Sequence, residues 1–289
     1  MNYHSDEWIM ERLNEHLEEA YQYFPKNRIV GIFIQGSQNY GLDIESSDID
    51  TKLIVTPSFE DIVLNKKAVS TTHIRANDEH TDWKDVRLYM ETFRKQNLNF
   101  LEILFTPYKI INPMYEDSWN KLIEAREDIA RMNPYRAVKS MKGIALEKYH
   151  AMEHRYPSKI EVIDKYGYDP KQLHHLVRVE EYLGRYIAGD VYSRCLQPNN
   201  AEYLMDIKKG KFDLGVARIF ADTAKANVER IADTFCADKE DSENPEMRAL
   251  LEQVQYEIIK TSILEEIAKD EREKNADMAY LWRLSQGFF

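Results

Sequence analysis

The residues whose types and spacing most directly suggest chemistry lie in the stretch "FIQGSQNYGLDIESSDIDTKLIV". Gly36 and Ser37 follow a first apolar run, and Asp48 and Asp50, separated by one residue, open a second. A glycine lets the backbone approach a ligand closely, and a serine offers its hydroxyl and amide to a phosphate oxygen. Because side chains alternate along a strand, Asp48 and Asp50 should share one face. The stretch therefore predicts a phosphate-binding turn beside two carboxylates.

Two carboxylates a few ångströms apart repel each other unless a divalent cation lies between them. Mg²⁺ is the predicted ion, since it prefers oxygen ligands that include substrate phosphates; two ions are expected, with Mn²⁺ as a substitute. A third carboxylate from a neighbouring strand would complete a two-metal clamp for an in-line phosphoryl displacement. Asp85, which opens "DVRLYM", is the predicted third ligand, and Asp82 is its competitor.

A second group of candidate residues lies in the later half of the chain. Lys171, His175 and Arg178 are spaced i, i+4, i+7, so a helix would present all three on one face. Such a face, opposite the acidic site, predicts a slot for a triphosphate. The alternative is an exposed helix face with ordinary surface ion pairs. Tyr40 is a candidate for stacking on a base.

The apolar patterns predict the elements that position these residues. Helical spacing predicts a helix over residues 6–22, and β-branched runs predict strands at 28–35 and 50–57. A strand near 83–88 should be followed by a helix to about residue 98. "FLEILFT" fits a strand or a helix, and within it Glu102 is expected as a buried acid paired with an arginine.

From about residue 116 the strand signals disappear and helical spacing continues to the end of the chain. The predicted fold class is α+β: a mixed sheet with flanking helices over residues 1–115, then an all-helical domain over 116–289. The boundary should fall near 112–118, where Asn112-Pro113 breaks the pattern. A ligand would bind in the cleft between the two domains.

Composition narrows the classes of function. With 43% hydrophobic and 31% charged residues the chain is typical of a globular protein, and its formal charge of −11 argues against binding duplex nucleic acid over the whole surface. Residues 131–159 nevertheless form a local basic segment, with seven Lys and Arg against two Glu. The two cysteines have no zinc-like spacing, and no apolar run approaches membrane length, so a cytoplasmic protein without membrane contact is expected.

The ordered set of Gly36-Ser37 and Asp48-Ile49-Asp50 resembles the signature of the polymerase-β-like nucleotidyltransferase superfamily. The segments "GSQNYGLDIESSDID", "DVRLYMETFRKQNLNFLEILF" and "YGYDPKQLHHLVRV" are similar to those of bacterial and phage predicted nucleotidyltransferases linked to RNA repair. The resemblance covers roughly residues 28–215.

The resemblance implies transfer of a nucleoside monophosphate from a nucleoside triphosphate such as ATP, with release of pyrophosphate. It further implies that Ser37 holds the triphosphate, that Asp48 and Asp50 bind both metals, and that Asp85 orients the attacking hydroxyl. An RNA end is the favoured acceptor because of the basic segment, while a protein hydroxyl or a small molecule such as an aminoglycoside fits the acidic overall charge. The alternative of another class is a nucleotide-sensing module without turnover.

Overall fold

A computed structural model describes the backbone of residues 2–285 and the side chains of residues 2–278. Residue 1 and residues 286–289 of the two predicted domains lie outside the described residues. Five strands form one sheet: β1 (Ile29–Gln35), β2 (Asp50–Val55), β3 (Ser70–Ile74), β4 (His80–Asp85) and β5 (Lys109–Ile111), in the order β3-β4-β2-β1-β5. β2 and β4 are parallel and the other neighbours are antiparallel, so the sheet is mixed.

Four helices belong to the first part of the chain: α1 (Asp6–Ala20), α2 (Phe59–Val63), α3 (Val86–Arg94) and α4 (Leu98–Leu101). Nine more follow: α5 (Glu116–Glu124), α6 (Arg126–Ile129), α7 (Pro134–Ala151), α8 (Ile160–Tyr166), α9 (Pro170–Ala188), α10 (Tyr192–Leu196), α11 (Ala201–Lys208), α12 (Leu214–Ala237) and α13 (Pro245–Ser285). The fold class is α+β, as the sequence predicts, with a mixed sheet followed by a helical region. None of the helices in the described part of the chain combines the length and the apolar character of a membrane span.

Helix α1 covers one face of the sheet. The hydroxyl of Ser5 accepts a hydrogen bond from the Trp8 amide and so caps the first turn. Ile9 and Leu13 repeat at helical spacing and are fully buried against residues such as Ile32 of β1. This packing fixes the face of the sheet that points away from the candidate site.

The opposite face of the sheet shares one apolar core with the helical half. Phe33 of β1 and Ile54 of β2 belong to the same buried cluster as side chains of α5, α7, α9 and α12. The rings of Phe33 and Trp119 lie 4.8 Å apart between centroids, across the predicted boundary. The predicted division into domains 1–115 and 116–289 stays a prediction.

The prediction of a strand over 83–88 is wrong in its limits. β4 ends at Asp85, whose side chain accepts a hydrogen bond from the Arg87 amide and caps α3. Val86, Tyr89, Met90 and Phe93 are buried at spacing i, i+3, i+4, i+7, so the apolar pattern there is that of a helix.

Two strands escape sequence-based prediction, and one ambiguous segment is resolved. β3 is an edge strand with mostly exposed side chains, and β5 has only three residues, so neither carries an alternating apolar pattern. "FLEILFT" forms the end of α4 and a 3₁₀ turn at Glu102–Leu104 rather than a strand.

Because the core spans both halves, Trp119→Ala should lower the free energy of unfolding of the whole chain by about 3–5 kcal/mol, as expected for loss of a large buried ring. Far-UV circular dichroism during urea denaturation measures this. Tyr256→Ala, on α13 with the tyrosine 65% exposed, is the control and should change stability by no more than about 0.5 kcal/mol. Two separate transitions, or equal effects of the two variants, would contradict a shared core.

Candidate active site

The Gly-Ser turn lies at the end of β1, where the chain leaves the sheet. Gly36 has φ 100° and ψ −149°, a backbone conformation that only glycine adopts without strain. Ser37 then begins a short 3₁₀ helix that ends at Tyr40. The Gln38 side chain donates a hydrogen bond of 2.9 Å to the Asp48 carbonyl. The turn is thereby tied directly to the segment that carries the two carboxylates.

Asp50 is the first residue of β2 and pairs with Gln35 in β1. Its Oδ1 accepts a hydrogen bond of 3.2 Å from the amide of His80. Burial raises the pKa of Asp50, and the negative charge of Asp48 adds to this effect. The Asp48 charge therefore disfavours the ionised form of Asp50, and a bound cation would relieve this repulsion.

The predicted cationic face belongs to α9. Asp169 caps this helix by accepting a hydrogen bond of 2.8 Å from the Lys171 amide. Lys171, His175 and Arg178 all line the pocket that contains Asp48 and Asp50. The helical spacing thus places them on the side that faces the carboxylates.

His175 does not contribute a positive charge. Burial lowers its pKa well below the ordinary value, and the charge of Arg178 reinforces this. The neighbouring His174, whose Nδ1 lies 3.0 Å from the Leu204 carbonyl oxygen, has its pKa lowered by burial to about 4. Both imidazoles are therefore neutral near pH 7, and the positive charge in this wall comes from lysine and arginine.

Arg178 is 7% exposed, and its guanidinium lies 4.0 Å from the centroid of the Tyr40 ring. Its Nε and Nη1 are buried, and neither has a hydrogen-bond partner within the described residues. An unpaired buried guanidinium is costly, since charge-assisted hydrogen bonds are needed to offset its desolvation. Tyr40, predicted to stack on a base, has one ring face occupied by this guanidinium.

Glu102 is buried, as the sequence predicts, but among the described residues it forms no ion pair with an arginine, which was the other half of the prediction. Burial raises its pKa to about 8, while the charge of Arg178 and a hydrogen bond from the Gly36 amide act in the opposite direction. Near pH 7 the carboxyl is therefore mostly protonated. It does not neutralise Arg178, which keeps its charge available to an anion in the pocket.

One pocket of about 190 Å³ collects six of the predicted site residues. They are Ser37, Asp48, Asp50, Lys171, His175 and Arg178. Gly36 forms the adjoining turn. Their shared pocket is what the structure shows, and their chemical roles remain predictions.

Asp85 is not part of this pocket. In the parallel pair of β2 and β4, Val55 is opposite Asp85, whereas Lys52 is opposite Asp82. Since alternate residues share a face, Asp85 lies on the other side of the sheet from Asp50. There it is 1% exposed and binds the Arg87 guanidinium through Oδ1 at 2.9 Å and Oδ2 at 2.7 Å. The expectation that Asp85 joins the other two carboxylates is not met.

Asp82, the competitor, lies on the same face as Asp50 and on the neighbouring strand. Its Oδ1 accepts a hydrogen bond of 2.6 Å from Thr72, and its Oδ2 lies 3.9 Å from the Lys52 ammonium. The Asp82 side chain is 33% exposed. If the site uses a third carboxylate, Asp82 is the one that the sheet places correctly.

Two lysines were not recognised from the sequence: Lys208, which lines the pocket, and Lys52, which is buried beside it against Gln35. Lys208, at the end of α11, donates a hydrogen bond of 2.6 Å to the Leu42 carbonyl, and burial lowers its pKa to about 8. Lys52 is 2% exposed, bonds to Gln35, and has its pKa lowered by burial to about 8. Lys208 resembled an ordinary helix-end residue, but Lys52, inside an apolar strand, was a signal that could have been used.

Most basic residues of the segment 131–159 form ion pairs, four of them with acids outside the segment and one with Glu147 inside it. Arg131, the first residue of the segment, donates a hydrogen bond of 3.1 Å to the Tyr186 carbonyl. Five of the segment's basic residues form ion pairs: Arg136–Asp241, Lys142–Asp233, Lys148–Glu147, Arg155–Asp164 and Lys159–Asp169. The local excess of positive charge in the sequence therefore does not become a broad cationic surface.

The carboxylates in the pocket suit an open Mg²⁺ site, in which water and substrate complete the coordination, better than a site built entirely from protein ligands. Among the side chains of residues 2–278 the structure contains no preassembled group of three His, Cys, Asp or Glu at metal-binding positions. Mg²⁺ commonly uses one or two carboxylates and completes its shell with water and substrate phosphates. Asp48 and Asp50 fit that pattern, because the pocket also carries the cations that a phosphate needs.

No protein-family profile matches the sequence, and no curated protein matches it. Among solved structures, a nucleotidyltransferase-like protein from Exiguobacterium sibiricum is 12% identical, covers 78% of this chain and 75% of its own, and has a TM-score of 0.29. A chain in the E. coli MS115-1 CdnC:HORMA-deltaN complex is 13% identical over 88% of this chain and 90% of its own, with a TM-score of 0.20. Likeness at this level defines neither the fold nor the chemistry of the chain, which follow from its own geometry.

The lowered pKa of Lys208 predicts a pH dependence of anion binding. Its ammonium is charged below about pH 8 and neutral above it, so affinity for inorganic tripolyphosphate should fall as the pH rises from 7 to 9. Lys208→Arg should weaken this dependence, because a guanidinium stays charged throughout that range.

Isothermal titration calorimetry at each pH measures the effect, and comparing variants at the same pH removes the ligand's own titration. Lys209→Arg, at the exposed neighbouring position, is the matched control and should behave like the unmodified protein. Identical pH profiles for Lys208→Arg and the unmodified protein would show that Lys208 does not contact the anion.

Proposed function

We propose that the protein is a Mg²⁺-dependent nucleotidyltransferase that moves a nucleoside monophosphate from a nucleoside triphosphate to a hydroxyl acceptor. The observation that carries this proposal is one small pocket that holds two mutually repelling carboxylates and a buried arginine with unpaired donors. A metal-bound triphosphate would satisfy both groups at once, because its cation would bind the two carboxylates and its phosphates would bind the guanidinium.

We assign a binding role to each charged residue of the pocket. Asp48 and Asp50 would hold Mg²⁺, which when bound neutralises developing charge on the phosphate oxygens. Arg178, Lys171 and Lys208 would bind the phosphates, with the Ser37 hydroxyl at the turn. Mn²⁺ should replace Mg²⁺, since it accepts the same oxygen ligands.

The transfer is an in-line displacement at the α-phosphorus. The acceptor oxygen forms a bond to phosphorus, the bond from phosphorus to the bridging oxygen of the β-phosphate breaks, pyrophosphate leaves, and the hydroxyl proton is released to solvent. The chain contributes positioning and charge rather than a covalent intermediate. Asp82, on the strand beside Asp50, would orient the acceptor hydroxyl.

The ion pairs of the basic segment bear on the choice of acceptor. An RNA end was favoured because of the basic segment, but most of that segment is occupied by internal ion pairs. A protein hydroxyl or a small molecule fits the net charge of −11 at least as well. The acceptor class is therefore left to an assay that offers all three.

In that assay each α-³²P nucleoside triphosphate, ATP included, is supplied with Mg²⁺ to total RNA, total protein and a metabolite extract. The unmodified protein should label one of these pools. Asp48→Asn and Asp50→Asn should each reduce labelling by about 100-fold or more, since they remove preorganised charge from the reacting centre. Asp82→Asn should also lower the rate, because it lies on the catalytic face.

Asp85→Asn is the matched control. Asparagine caps a helix about as well as aspartate, so this variant should fold, lose only its ion pair to Arg87 and keep most of its transfer rate. Inactive Asp85→Asn with active Asp82→Asn would contradict the assignment from the sheet register. If no pool is labelled, while triphosphate with Mg²⁺ still raises the melting temperature of the unmodified protein and not of Asp48→Asn, the protein is a nucleotide sensor without turnover.

A further inference from the structure

A buried polar network lies behind the candidate metal site, on the face of the sheet that α1 covers. His16 of α1 places Nδ1 3.0 Å from the Thr51 hydroxyl and 3.1 Å from the Thr81 hydroxyl, on the neighbouring parallel strands β2 and β4. Its Nε2 lies 2.9 Å from the Glu79 carboxylate. His16 is 2% exposed and Glu79 is 5% exposed. Burying polar groups costs more free energy than burying apolar side chains, so a buried polar network suggests a role beyond packing.

The network ends on the backbone between the two site carboxylates. Glu79 Oε1 accepts a hydrogen bond of 3.3 Å from the amide of Ile49, the residue between Asp48 and Asp50. The next residue, His80, donates its amide to Asp50 Oδ1 at 3.2 Å. Glu79, just before β4, and His80, its first residue, therefore hold the backbone of the Asp48–Asp50 segment and one of its carboxylates.

Glu79 is held as an anion by three basic side chains. Its Oε2 binds Arg12, lies 3.1 Å from the Arg75 guanidinium and accepts from His16. Burial alone would raise the pKa of Glu79, but hydrogen bonds from His16, Asn77 and Arg12 outweigh it and hold the pKa at about 2. An ionised carboxylate is a stronger acceptor for a backbone amide than a neutral one.

We propose that Glu79 is a positioning residue, which fixes the Ile49 backbone so that Asp48 and Asp50 converge on one divalent cation. This inference rests on the proposed function, because it concerns the same metal site. The segment before β2 is irregular, and two like charges side by side favour turning apart. The Glu79 anchor opposes that movement from behind the sheet. Outer partners of metal ligands commonly act in this way.

The same network contains a matched control. Glu19 of α1 binds the Arg75 Nε at 2.6 Å and the His73 Nε2 at 2.7 Å. It therefore shares Arg75 with Glu79, but it forms none of the bonds to residues 48–50 that the structure shows for Glu79 and His80. Glu19→Gln should disturb the ion pairs of the network and leave the metal ligands in place.

The test measures Mn²⁺ affinity by electron paramagnetic resonance, with a non-hydrolysable nucleoside triphosphate analogue present. Glu79→Gln should bind Mn²⁺ roughly tenfold more weakly than the unmodified protein, whereas Glu19→Gln should change affinity by less than about twofold. Glu79→Asp keeps the negative charge but moves the carboxylate away from the Ile49 amide, so it should also weaken Mn²⁺ binding. It replaces Glu79→Gln if that variant does not fold.

A second readout is amide hydrogen exchange at Ile49, which should become faster in Glu79→Gln or Glu79→Asp than in Glu19→Gln. Equal Mn²⁺ affinity in the Glu79 and Glu19 variants, with equal protection of Ile49, would overturn the inference while leaving the proposed function intact. Absence of Mn²⁺ binding by the unmodified protein would overturn the proposed function and this inference with it.

Discussion

The parallel pairing of β2 with β4 is the constraint on which the rest of the site depends. Its register, with Thr51 opposite Thr81 and Lys52 opposite Asp82, determines which side chains share a face. Because side chains alternate, Asp50 and Asp82 lie towards the helical half, while the two threonines meet His16 on the other side. A shift of one residue in either strand would exchange these faces and separate the carboxylates from α9. The apolar core on both sides of the sheet makes such a shift costly.

The pocket contains buried groups of opposite charge, Asp50 and Arg178, that do not form an ion pair with each other. Asp50 is destabilised as an anion by burial and by Asp48, and the Arg178 guanidinium is buried with unpaired donors. Ion-pairing the two within the protein would be the simplest way to lower this cost, yet the fold keeps them on separate elements. A site organised in this way is expected to gain most from a ligand that carries both a cation and several anionic oxygens.

The sequence predicted the part of the site that depends on local spacing. The pairing of Lys171 with Arg178 needed only the period of a helix, and the i, i+2 spacing of Asp48 and Asp50 brought both to the pocket although Asp48 lies just before β2. It failed where a residue's role depends on neighbours distant in the chain. Asp85 was chosen because it opens an apolar segment, but the start of α3 at Val86 makes it a helix cap. The contacts of Lys208 and Glu79 with the site depend on tertiary packing that no local pattern encodes. The short or exposed strands β3 and β5 were missed for the same reason.

The central claim is that this pocket is a metal–nucleotide site, and a crystal structure with Mn²⁺ and a non-hydrolysable nucleoside triphosphate analogue tests it most directly. Anomalous scattering locates the manganese independently of the protein atoms. The account predicts an anomalous peak between the carboxylates of Asp48 and Asp50, with phosphate oxygens bound to Arg178 and Lys171. Manganese bound at Asp85, or an analogue bound outside this pocket, would contradict it.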